Sequence, residues 1–183
     1  TRDVDPNITG SAYFSRGYAR YLLGNLEGAI NDCTRAIEIL PDCAEAYDNR
    51  GIARATQGDL EAAIADHTQA IELNPELWEA YSNRGLALSE QGNYAAAIED
   101  YDQAILLLPN HWELYFDRGN AYYSLEDFQR AIYDYVRAIQ LNPDNALVHN
   151  NLGGALYKLQ RYEEAIEAYR TGIVLAPDNA QIH

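Results

Sequence analysis

A step of 34 residues runs through this chain and restricts its fold more than any other feature. Tyr81-Ser82-Asn83-Arg84-Gly85 recurs upstream as Tyr47-Asp48-Asn49-Arg50-Gly51 and downstream as Tyr115-Phe116-Asp117-Arg118-Gly119. Five units follow, 10–43, 44–77, 78–111, 112–145 and 146–179. Counted from the start of each unit, place eight is Gly17, Gly51, Gly85, Gly119 and Gly153, and place twenty is Ala29, Ala63, Ala97, Ala131 and Ala165. Place thirty-two is Pro41, Pro75, Pro109, Pro143 and Pro177. Residues 1–9 read as a linker or the remnant of a preceding unit, because Asp5-Pro6-Asn7 looks like the Pro-containing end of one. Residues 180–183 read as the start of a truncated sixth unit or of a capping helix.

Each unit predicts two antiparallel helices. In the third, Tyr81, Gly85 and Leu88 share one side at helical spacing, and Tyr94, Ala97, Ile98, Tyr101 and Ile105 do so after Gly92. Gly24, Gly58 and Gly92 suit the left-handed residue that ends a first helix, and Asn25, Asp59 and Asn93 suit the cap of the second. Glu126 and Gln160 stand at this corner in the last two units, which predicts slightly strained or differently shaped turns. The prolines are stops. A glycine inside a helix costs about 1 kcal/mol relative to Ala, so the five at place eight need a packing reason, the close approach of two helices.

This pattern resembles the tetratricopeptide repeat (TPR), and the resemblance spans about 170 of the 183 residues. It implies an all-α protein, an α-solenoid in which five helix-turn-helix units of about ten or eleven helices form a right-handed superhelix. It implies that each place-eight Gly lies against the Ala of its own second helix. It also implies a concave groove lined by first helices, and a non-catalytic scaffold that holds an extended peptide or a partner helix there. The matching groove residues are Phe14, Tyr18, Tyr21, Asn49, Ile52, Asn83, Leu86, Asp117, Asn120, Tyr123, Asn150, Asn151 and Tyr157. Phe14, Tyr18, Tyr123 and Tyr157 are the expected apolar anchors. At place six Asn49, Asn83 and Asn151 resemble the asparagine ladder of O-GlcNAc transferases, in which an amide donates to and accepts from a peptide backbone. The alternative at these places is a row of hydrated amides. The carboxylate clamp of chaperone-binding members is not matched, because Phe14 and Tyr18 stand where it needs Lys and Asn, and Glu79 and Asn83 where it needs Lys and Arg.

A second pattern is internal. Place seven is Arg16, Arg50, Arg84 and Arg118, and in those units place twenty-three is Asp32, Asp66, Asp100 and Asp134. The fifth unit loses both, having Leu152 and Ala168. Folding the hairpin at its corner sets the two places opposite each other, which predicts four structural ion pairs that fix register.

A formal charge of −15 argues against nucleic acid and anionic membrane surfaces and is mostly a solvated shell. With Glu45, Asp48, Glu79, Glu90, Glu113 and Asp117 on the groove side, a neutral or basic protein segment is the preferred partner. No apolar run suits a membrane span or a signal peptide, which favours a cytoplasmic setting. Cys33 and Cys43 are too far apart along the chain's helices for a disulfide and read as free thiols. No His, Cys or carboxylate spacing calls for a metal, a cofactor or a catalytic group, and His67 replaces a core aromatic. Two alternatives to the free-standing scaffold are a docking segment of a larger enzyme and a module that self-associates through uncapped terminal repeats.

Overall fold

The structure, a computed structural model, describes residues 5–176, so Pro177 and the expected start of a sixth unit lie outside the described residues. Among the described residues there are ten α-helices and no strand. They fall into two compact units, one ending at Asn93 and the other beginning at Tyr94.

The first unit holds α1 (Pro6–Leu22), α2 (Leu26–Ile39), α3 (Ala44–Thr56), α4 (Leu60–Leu73) and α5 (Trp78–Glu90). α1 packs on α2 and α3 on α4 as hairpins, α2 on α3 and α4 on α5 join successive repeats, and the first helices α1, α3 and α5 touch in a row. The second unit holds α6 (Tyr94–Leu107), α7 (Trp112–Ser124), α8 (Phe128–Leu141), α9 (Ala146–Lys158) and α10 (Tyr162–Leu175). There α7 pairs with α8 and α9 with α10, α6 packs on α7, α8 on α9, and α7 touches α9.

One boundary differs from the sequence reading. Residues 6–9 belong to α1, whose first residue is Pro6 and whose cap, Asp5, accepts the Asn7 amide at 2.9 Å. Proline is tolerated there because the first helical N–H has no intrahelical partner, so the same Asp-Pro that reads as a stop here starts a helix.

The corner between helices has one shape throughout. Gly24 and Gly58 have φ of +76° and +87°, and Glu126 and Gln160 both have +60°. The residue after each donates back to a carbonyl five positions earlier, Asn25 to Arg20 at 2.9 Å, Asp127 to Tyr122 at 2.9 Å and Arg161 to Leu156 at 3.0 Å. Glu126 and Gln160 thus adopt the glycine turn rather than a different one, and the strain sits in their backbones. Asn25, Asp59 and Asp127 cap the second helices by accepting the amides of Gly28, Ala62 and Arg130.

The core is built from small residues. Ala29, Ala63, Ala97 and Ala131 at place twenty, and Ala36, Ala70, Ala104 and Ala138 one face-turn later, are wholly buried. The nearest neighbours of the place-eight glycines are side chains at place twenty-four, and at Gly17 the Ala29 carbonyl oxygen also lies 3.3 Å from a Cβ. A Cβ on Gly51 lies 2.6 Å from His67 Cε1, on Gly119 2.8 Å from Tyr135 Cε1, on Gly153 2.7 Å from Tyr169 Cε1 and on Gly17 2.8 Å from Cys33 Sγ. The side chain at place twenty-four, one turn beyond the Ala, lies across the glycine, so the missing side chain makes room for a ring at Gly51, Gly119 and Gly153 and for the Cys33 thiol at Gly17.

Candidate functional site

The arginines at place seven occupy the seam between hairpins. Arg16 donates from Nε and Nη2 to the two oxygens of Asp32, each at 2.7 Å. Arg50 does the same to Asp66 at 2.9 and 2.7 Å, and Arg118 to Asp134 at 2.8 and 2.7 Å. Hydrogen bonds from Arg16 hold the Asp32 carboxyl below the usual range. Burial works against the charge of Arg118, but its bonds to Asp134 and Asp102 outweigh that and keep it firmly protonated. Arg84 and Asp100 lie in different units; within the first, Arg84 donates to Thr68 Oγ1 at 3.1 Å.

The sequence reading missed a third bond of each fork. Arg50 Nη1 donates to Thr34 Oγ1 at 3.2 Å, and Arg118 Nη1 bonds Asp102, so these arginines, like Arg84 on Thr68, reach back to place twenty-five of the preceding repeat. Each guanidinium also lies 5.2 to 6.0 Å over the tyrosine three residues before it, Tyr13, Tyr47, Tyr81 or Tyr115. The signal was available: place twenty-five is Thr, Thr, Asp in the repeats that precede an Arg.

The expected groove residues stand on first helices and differ in exposure. In the first unit Tyr18 and Leu86 are 46% and 41% exposed, Phe14, Tyr21, Asn49 and Ile52 are half-buried, and the Tyr18 and Tyr21 rings stack at 6.4 Å. In the second, Tyr157 is 58% exposed and meets Tyr162 edge-on at 5.4 Å, while half-buried Tyr123 meets Phe128 at 5.2 Å. Asn49 and Asn150 make no side-chain hydrogen bond among the described residues.

The amides are used differently from the ladder expectation. Asn83 Nδ2 donates to both oxygens of Asp48, at 3.2 and 3.1 Å, and Asp48 Oδ1 lies 2.7 Å from His67 Nδ1. In the second unit Asn151 Nδ2 donates to Asn120 Oδ1 at 2.9 Å, and that oxygen also accepts the Tyr135 hydroxyl at 2.8 Å. Two relays of one form result: place twenty-four of a repeat reaches its own first helix, which holds place six of the next. A carboxylate can only accept, so the NH2 end of Asn83 must be the one turned inward. Asp48, expected on the open groove, is 6% exposed because His67 and Asn83 close over it.

Asp117 is the acidic residue at place six. It is half-buried and has no hydrogen-bond or ion-pair partner among the described residues, and burial, with Glu113 adding to it, pushes its carboxyl up to about 7. The remaining chemistry is sparse. His67 is 1% exposed and its Nε2 meets no hydroxyl or thiol, and the buried Cys33 thiol is pushed up to about 11 by desolvation. Both cysteines are free. Among the described residues no group of His, Cys and carboxylates could hold a metal ion, and no helix is long and apolar enough to cross a membrane.

Paired helices with a repeated ring-on-glycine contact define an α-solenoid of short repeats. Family models agree: one described as "Tetratricopeptide repeat" matches residues 10–43, 78–111 and 146–179, and another, "TPR repeat", matches 53–92 and 119–160. The chain belongs to the tetratricopeptide repeat family. Among solved structures it is similar to a crystal structure of MamA, with 22% identity, 96% of each chain covered and a TM-score of 0.83. It is similar to MamA from Desulfovibrio magneticus RS-1, with 20% identity, 96% of this chain and 98% of that one covered and a TM-score of 0.85. YrrB, described as a TPR protein with an unusual peptide-binding site, shares 20% identity over 92% of this chain and 87% of its own, with a TM-score of 0.78. At these identities the likeness concerns the fold. A search of curated proteins gave no match.

Proposed function

We propose that this chain is a non-catalytic scaffold that holds a peptide segment or partner helix of another protein on its first-helix faces. The observation that carries this reading is the set of large apolar side chains left open there, Tyr18 and Leu86 in the first unit and Tyr157 in the second. Single exposed apolar residues are ordinary, but Tyr18 and Leu86 recur at place nine of first helices within one unit, an apolar register that a partner can cover. In a backbone-reading ladder Asn49 has both ends of its amide available, whereas Asn83 and Asn151 also donate within the chain. A neutral or basic segment suits the acidic rim.

The test is selection of randomised 12-residue peptides on the intact chain, followed by titration of the leading sequence. Tyr18→Ala with Leu86→Ala is expected to weaken binding at least about tenfold, while Leu106→Ala, 74% exposed on a second helix, leaves it unchanged. Equal loss from both variants, or no enriched peptide, removes the reading.

A second reading, self-association, has its own observation. Ile166 on α10 is 54% exposed where its counterpart Ile132, on the α8 face that packs on α9, is 7% exposed, and Ile173 is 61% exposed. Sedimentation across a hundredfold concentration range, with Ile166→Glu as the control, decides it: a monomer throughout rejects it.

A further inference from the structure

We propose that the first-helix face of α7 and α9 selects a guest that can only donate hydrogen bonds, an arginine side chain seated on Asp117. The proposal rests on the groove reading above and names the chemistry of the residue that fits there.

The first support is an inventory of what the face still offers. Asn151 commits an N–H to Asn120, and Asn120 Oδ1 is filled by Asn151 and Tyr135, so the Asn151 carbonyl oxygen has no donor from this chain among the described residues. Asp117 stands at the same place on α7 and can accept only, as can Glu113 one turn earlier. Two neighbouring carboxylates that can only accept match the guanidinium, which has five donors and no acceptor, and repel a guest carboxylate.

The second support is how this chain treats its other buried aspartates. Asp32, Asp66 and Asp134 each receive a guanidinium fork, and Asp48 receives His67 and Asn83. Asp117, withdrawn from water beside Phe116, receives nothing among the described residues. A partly desolvated carboxyl with a like charge near it disfavours ionisation, and its raised pKa reports that cost. A guest cation removes the cost, so the same feature that burdens the free protein adds to the affinity of the complex. Arginine exceeds lysine here because a planar fork matches a carboxylate with two parallel bonds and keeps N–H groups for the amide oxygen of Asn151.

The experiment uses the intact chain and a randomised library of 12-residue peptides, with the leading peptide resynthesised carrying citrulline for arginine, which keeps shape and removes the charge. The expected result is enrichment of arginine in the selected pool, an affinity loss of about tenfold or more for the citrulline peptide, and near-equal affinities of the two peptides for Asp117→Asn. Glu113→Gln, at an exposed position, provides a second variant should Asp117→Asn not fold, and is expected to reduce the arginine preference several-fold. Enriched peptides without arginine, or a citrulline penalty that is the same on wild type and on the variant that folds, overturn the proposal and leave the groove reading standing. A pool with no enriched peptide overturns both.

Discussion

Asp117 shows how one side chain can oppose the fold it belongs to. Its carboxyl is raised from about 3.8 to about 7 by burial and by Glu113, so the folded protein binds this proton more tightly than the unfolded chain does. The resulting stabilisation is fully present below pH 3.8 and is lost as the pH rises through 7, a difference of about 2–4 kcal/mol between the two limits. Asp117→Asn, which cannot ionise, is therefore expected to unfold at a higher temperature than wild type at pH 8 and at nearly the same temperature at pH 3.5. Thermal melts at the two pH values check this, and a variant less stable at pH 8 refutes it. Asp48 makes the opposite case, since its burial is covered by His67 and Asn83. Removing Asn83 thus perturbs the fold as well as the groove, and Asn49→Ala is the cleaner probe of peptide contact.

At the scale of the element, hairpins are fixed by a fork and a corner. Arg118→Leu alone leaves Asp134, 1% exposed, without its partner, and is expected to cost about 3–5 kcal/mol in urea unfolding. Arg118→Leu with Asp134→Ala copies the pair that the fifth repeat already carries at Leu152 and Ala168 and is expected to recover most of that loss. Equal loss in single and double variants contradicts an ion pair whose main role is register. The corner offers a gain: Glu126 holds φ of +60°, a region that a side chain disfavours, and Glu126→Gly is expected to stabilise the second unit by about 1 kcal/mol. Gly24→Ala, at φ +76° with open space around it, tests the same strain in reverse and is expected to destabilise.

For the whole molecule, two electrostatic effects compete as salt is added. The fork aspartates are 1–5% exposed and little screened, whereas most of the −15 formal charge stands on open surface and repels itself. Repulsion is the larger screened quantity, so raising sodium chloride from 20 to 200 mM is expected to raise the melting temperature. A fall would mean that exposed pairs such as Arg161–Glu164 carry more of the stability than their solvation suggests.

The 34-residue step, read without coordinates, determined the helices, their stops at proline and the alanine core, because a repeat cannot bury its apolar side except against its own copies. The opposition of places seven and twenty-three was legible in the joint loss at Leu152 and Ala168, since a hairpin folded at its corner admits no other register. Three matters waited for the tertiary structure. One is that the glycines face the side chain at place twenty-four, a ring at Gly51, Gly119 and Gly153, which depends on the tilt of one helix over another. Another is that Glu126 and Gln160 keep a glycine turn, which depends on packing that outweighs their backbone preference. The last is which end of Asn83 and Asn151 turns inward and that Asp117 is left without a partner. One-dimensional spacing puts a residue on a face, but only the atoms around it decide whether its polar groups are already spent.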